Sequence, residues 1–123
     1  MRFLLVAALA LVALALPVAG QAKDGDVRVV KRCTGPSTAK LKLSEEDGRI
    51  EVEGEVDQNR VGVVWQWQLR VDGALVARGT GRTRGPSGSF SVRRLARDGA
   101  AAEVVTFRAT RPGEACRVSA VWR

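Results

Sequence analysis

The chain has 123 residues, with 20 Lys and Arg against 13 Asp and Glu and neither His nor Tyr. That length allows a single domain with a core of modest size. The missing His removes the commonest general base and the commonest metal ligand, which weighs against acid–base and metal-dependent enzymes. Met1-Arg2 makes a short basic start, and Phe3 to Leu16 is an unbroken run of Phe, Leu, Val and Ala. Pro17 and small residues follow, and charge begins at Lys23. This is the pattern of a signal peptide. Gly20-x-Ala22 fits cleavage after Ala22, and Val18-x-Gly20 fits cleavage after Gly20. The uncharged stretch could just span a bilayer. Pro17 and the lack of a basic stop cluster argue instead for a cleaved signal over residues 1–22. No Cys lies near the cleavage point, so a lipid anchor is not expected.

The mature domain, 23–123, carries a net charge of +6 once Arg2 is removed. Period-2 alternation dominates it. Val27 to Lys31 and Ala39 to Leu43 are short apolar runs. Ile50, Val52, Gly54 and Val56 then alternate with Glu51, Glu53 and Glu55. Val63, Trp65, Trp67, Leu69 and Val71 alternate with Val64, Gln66, Gln68 and Arg70. Weaker runs occupy Ala74 to Thr80 and Ser89 to Arg93. Val105, Phe107 and Ala109 form a further strand, and Cys116, Val118, Ala120 and Trp122 the last. Arg93 to Val105 offers at most a turn or two of helix, interrupted at Asp98-Gly99. Asp72-Gly73 predicts a tight hairpin pairing Val71 with Ala74 and Leu69 with Val76. Asp47-Gly48 predicts a second hairpin with a slightly longer loop. Gly35-Pro36, Gly85-Pro86 and Pro112-Gly113 mark the remaining loops.

Eight short strands with turns between them predict an all-β, two-sheet antiparallel sandwich of 7–8 strands. The expected core is Leu41, Leu43, Ile50, Val52, Val56, Trp65, Trp67, Leu69, Phe90, Val92, Val105, Phe107, Val118 and Ala120. Trp122, next to last, is expected at the surface. Cys33 and Cys116 are expected to pair, as an even count does in an exported chain. Closing that long loop is worth about 4.5 kcal/mol in the chain-entropy picture. Strand number, turns and a Trp-bearing strand with one disulfide resemble the immunoglobulin-like sandwiches over roughly residues 27–122. The richness in Ala, Gly, Val and Arg resembles secreted proteins of GC-rich bacteria such as actinobacteria.

Glu51, Glu53 and Glu55 project from one strand face about 6.5–7 Å apart. That is near the separation of inverting glycosidase carboxylates. Such pairs face each other across a substrate, so a solvated strand face is the expected role. A calcium ion would need oxygens converging on one point, which a strand does not provide. No cofactor and no metal site are expected. The i, i+2 pair Trp65 and Trp67 could stack on sugars, but both share the parity of the core.

The basic stretch from Arg78 to Asp98 is the strongest binding signal. It holds Arg78, Arg82, Arg84, Arg93, Arg94 and Arg97 against one acid, Asp98. Gly79 to Ser89 reads as a mobile, exposed loop. Arginines presented this way suit phosphate or carboxylate polymers. The expected function is a secreted, non-enzymatic binding or structural module that contacts an anionic cell-envelope polymer. The alternative is a protein-interaction or inhibitor domain with an unknown protein partner, and a small hydrolase is more remote. No specific nucleic acid is expected, because no aromatics interleave with the arginines.

Overall fold

A strand with apolar side chains at every second position has one face to bury and must find a second sheet to bury it against. A computed structural model of the chain describes residues 25–123, and the signal peptide read at 1–22 lies outside the described residues. Eight strands follow in order: β1 (Val27–Arg32), β2 (Thr38–Glu46), β3 (Arg49–Asp57), β4 (Val64–Val71), β5 (Ala74–Arg82), β6 (Ser89–Arg97), β7 (Glu103–Arg111) and β8 (Glu114–Trp122). They form two antiparallel four-stranded sheets, ordered β1-β2-β3-β6 and β5-β4-β7-β8. The sheets meet along two sides, where β1 lies against β8 and β5 against β6. Among the described residues no helix is long and apolar enough to cross a membrane.

Every residue of the expected core is buried. Ala39, Ala96, Ala109 and Cys116 join it. Trp122 does too: it is only 6% exposed, contrary to the expectation that it lies at the surface. Its parity on β8 matches that of Cys116, Val118 and Ala120, so the pleat turns it inward despite its place near the terminus. Large rings from one sheet fill gaps left by glycines. A Cβ on Gly54 would lie 2.7 Å from Phe107 Cδ2, and one on Gly79 would lie 2.8 Å from Trp67 Cζ2.

Turn chemistry sets the register. Asp72 and Gly73 both take positive φ, 49° and 82°, as a type I′ hairpin requires. Val71 pairs with Ala74 as expected. Leu69 pairs with Ala77 rather than Val76, because the ladder shifts by one residue between Leu69 and Arg70. The bulge leaves Val76 as the extra residue, 49% exposed. Asp47 and Gly48 take the same conformation, at 48° and 77°. Their hairpin is therefore tighter than expected, with Glu46 paired directly to Arg49. The turn or two of helix read over Arg93 to Val105 is absent: β6 continues to Arg97 and β7 begins at Glu103. The Gly79–Ser89 loop is a further correction. Gly79, Thr80, Gly81 and Arg82 belong to β5, and the connection to β6 spans only residues 83–88. Thr83 holds that connection in place. It is buried, accepts from Val63 N–H at 2.9 Å, and donates through Oγ1 to the Arg60 carbonyl at 2.6 Å.

The segment after β1 and the start of β8 are fastened together at one end of the sandwich. Cys33 and Cys116 form the expected disulfide, joining the residue after β1 to β8. Around it, Thr34 N–H donates to the Ala115 carbonyl and Ala115 N–H donates to Thr34 Oγ1, each at 2.9 Å. The buried carboxylate of Glu114 accepts from Ser37 N–H and Ser37 Oγ, both at 2.9 Å, and pairs with Arg111 at 3.3 Å. Glu114→Ala strips an acceptor from buried donors and leaves Arg111 without its partner. We expect it to cost about 3–5 kcal/mol in urea unfolding, the range for breaking a buried pair. Gly54→Val forces a branched side chain onto the Phe107 ring. It should lower stability by about 1–3 kcal/mol, with an unfolding midpoint equal to wild type as the contrary result.

Candidate anion-binding face

Charge is divided unequally between the two outer faces. Glu51, Glu53 and Glu55 occupy the outward positions of β3, opposite Ser44, Lys42 and Lys40 of β2 and Leu95, Arg93 and Ser91 of β6. Arg93 pairs with both Glu51 Oε1 at 3.4 Å and Glu53 Oε2 at 3.2 Å. Lys42 and Arg28 approach Asp26 at 3.8 and 3.9 Å. The acidic strand and part of the basic segment thus meet in space and largely offset each other. Among the described residues no group of three or more Asp, Glu, His or Cys side chains could hold a metal ion.

The outer face of the β5-β4-β7-β8 sheet has a different composition. Its outward strand positions carry Arg70, Arg78, Arg82, Arg108 and Arg117 among Gln66, Gln68, Thr80, Thr106, Thr110 and Ser119. No carboxylate shares those positions, and Asp72 stands only at the end, in the β4–β5 turn. The register aligns four of these residues straight across the sheet. Arg78 pairs with Gln68, Gln68 with Arg108, and Arg108 with Arg117. None of the three arginines has a carboxylate within 4.0 Å among the described residues. Arg70 is held in place by Gly73 O at 2.9 Å and Gln68 Oε1 at 3.4 Å.

The face is concave. A shallow cavity of about 620 Å³ is lined by Gln66, Gln68, Arg78, Thr80, Arg108 and Thr110, together with Gly79 and the buried Trp67. A second, of about 920 Å³, reaches from Arg70, Arg108 and Arg117 past the edge of β8 to Lys31 and Arg32 of β1, with Asp72 of the β4–β5 turn also in its lining. Both include Gln68 and Arg108, so they form one trough.

The six arginines read from the sequence do not gather in one loop. Arg78 and Arg82 stand on β5, Arg84 in the β5–β6 connection, and Arg93, Arg94 and Arg97 on β6. Arg82, Arg84, Arg93 and Arg94 line a separate groove of about 470 Å³ between β5 and β6. Arg94 lies at an inward position of β6 and packs its guanidinium 5.1 Å from the Trp67 ring centroid, covering the open side of the core. Arg97 faces Arg49 across the ladder. Only Arg78 and Arg82 belong to the outer sheet face. Sequence reasoning missed Arg70, Arg108 and Arg117. Each alternates with core residues on its own strand, but their alignment depends on the strand order. Trp65 and Trp67 are core residues, 0% and 4% exposed, and Trp65 donates through Nε1 to Gln58 Oε1 at 3.0 Å.

Comparison with known protein families, curated proteins and solved structures finds no match for this chain.

Arg78→Ser, Arg108→Ser and Arg117→Ser remove side chains without ion-pair partners among the described residues. Each should change unfolding free energy by no more than about 0.5 kcal/mol. Arg94→Ser uncovers Trp67 and should cost about 0.5–1 kcal/mol. Urea unfolding followed by tryptophan fluorescence reads all four.

Proposed function

We propose that the chain is an exported, non-enzymatic binding module, immunoglobulin-like in its two-sheet architecture, that holds an anionic polymer of the cell envelope. The segregation of charge carries this reading: Arg93, Lys42 and Lys40 face the acids of β3, while the arginines of the opposite face have none beside them. Guanidinium forks bind phosphate and carboxylate groups in two-point contacts, and an arginine-lined trough multiplies that attraction. Arg78 and Arg82 contact the polymer together with Arg70, Arg108 and Arg117, and Arg84 extends the charge past the end of β5. Arg93 and Arg94 serve the fold first, through Glu51 and Glu53 and through Trp67. A long-range disulfide suits an oxidising, extracellular compartment and so supports export. A hydrolase built on Glu51, Glu53 and Glu55 gains no support, because Arg93 occupies two of the three.

A protein-interaction role is the second reading. It draws on the exposed aliphatics Leu75, Val76, Val104 and Val121 at the β4–β5 end of the same sheet. Salt separates the two. Binding to a polyanion weakens steeply as ions screen it, whereas an apolar interface does not. When producing cells are fractionated at low salt, the protein should stay with the envelope and wash off by about 0.3–0.5 M NaCl, where the Debye length is only a few ångströms. Protein found free in the medium at every salt concentration would overturn the envelope reading. Retention that survives high salt would favour a protein partner.

A further inference from the structure

The trough has a direction, and it restricts the shape and chemistry of what can lie in it. This inference rests on the anion-binding reading and narrows it. Arg78, Gln68, Arg108 and Arg117 are mutual register partners on β5, β4, β7 and β8. Their row runs perpendicular to the strands and crosses three interstrand gaps, about 14 Å in all. A small anion can occupy one end of the row but cannot reach both.

Three features restrict the chemistry. First, Arg108 and Arg117 are direct neighbours in the ladder. One guanidinium fork already matches a planar carboxylate. A phosphodiester presents two non-bridging oxygens on a tetrahedral centre, each able to accept from a different guanidinium, so one phosphate can lie between the pair. Second, Gln68 lies between Arg78 and Arg108, and Thr80, Gln66 and Thr110 form the next row beside them; all four can both donate to and accept from hydroxyl groups. Third, the face offers no exposed aromatic ring: Trp65, Trp67 and Phe107 all point into the core. Single-stranded nucleic acid gains much of its binding from stacking on such rings. A planar lipid surface fits poorly into a concave trough, and the aliphatics that could enter it lie at one end rather than along the row.

We infer that the trough binds an extended phosphodiester-linked polyol chain laid across the four strands. One phosphate is gripped jointly by Arg108 and Arg117, a second is held by Arg78, and the intervening hydroxyls meet Gln68, Thr80 and Thr110.

Titration calorimetry on the purified exported protein tests this with two probes: glycerol phosphate, and a glycerol-phosphate oligomer long enough to cross all four strands. The oligomer should bind on the order of 100-fold tighter, the low end of the gain from linking two contacts. Arg78→Gln should abolish most of that advantage and leave monomer binding at Arg108 and Arg117 unchanged. It should also flatten the salt dependence by about one charge. Arg49→Gln, on the opposite sheet, should change neither affinity. Equal affinity for monomer and oligomer overturns the crossing geometry. Equal affinity for polygalacturonate or oligothymidylate overturns the polyol-phosphate assignment while leaving the general polyanion reading intact. Tighter binding to phosphatidylglycerol vesicles than to the oligomer overturns it in favour of a lipid surface. Failure to bind any of these probes overturns both readings.

Discussion

Two sheets can close on each other only if the bulky rings of one meet gaps in the other. Here Phe107 meets Gly54 and Phe90 meets Gly81 from opposite sheets, while Trp67 lies over Gly79 of the neighbouring strand in its own sheet. This fit lets the sheets approach closely, and a void left there would cost contacts that solvent cannot replace. It also decides where charge can go. With the interior filled by apolar atoms, most lysine and arginine side chains must project outward or lie along the open sides. Arg94 takes the second course and spreads over Trp67. Among the described residues two acids are exceptions: Glu114 is buried at the fastened end, where Ser37 and Arg111 satisfy it, and Glu103 is buried at the start of β7, where it accepts from Gly99 N–H.

The outward charges are then sorted by sheet. β3 carries a glutamate at three successive outward positions, and both neighbours of β3 supply cations in register with them. β4, β7 and β8 carry arginine, neutral polar residues and the exposed valines Val64, Val104 and Val121 instead. Because β5 joins β4 rather than β3, its arginines are added to a face whose strands present no outward carboxylate, with Asp72 only at its end. The net positive charge of the chain is therefore concentrated on one side. The same arginines also guard β5 and β8 as sheet edges, where charge discourages pairing with another chain. Edge protection and anion binding are compatible uses of one face, since both require the arginines to stay free of carboxylates.

Much of this could be read from the sequence, because the relevant forces are local. Strand parity follows from the pleat, so the buried positions from Leu41 to Ala120 were legible without any partner strand. The hairpin at Asp72-Gly73 was legible because only residues tolerant of positive φ make that turn. The disulfide followed from an even count of two cysteines in a chain whose start reads as a signal peptide. Reading failed where a neighbour decided the outcome. Gly79 to Gly81 looked like flexible loop, yet these residues are in β5 because the Trp67 and Phe90 rings need the space that a side chain would occupy. The bulge at Val76 had no local signal at all.

The sequence by itself determined the number and parity of the strands, the tight turns, the core and the basic excess, because each depends on residues next to one another in the chain. Only the tertiary structure decided which charges cancel. Arg93 lies 40 positions from Glu53 yet bonds to it, while Arg78, Arg108 and Arg117 come from three separate strands and line up in one row. The arginine-lined face is thus a product of strand order. Strand order is set by how whole sheets bury their apolar surface, a property no short stretch of residues carries.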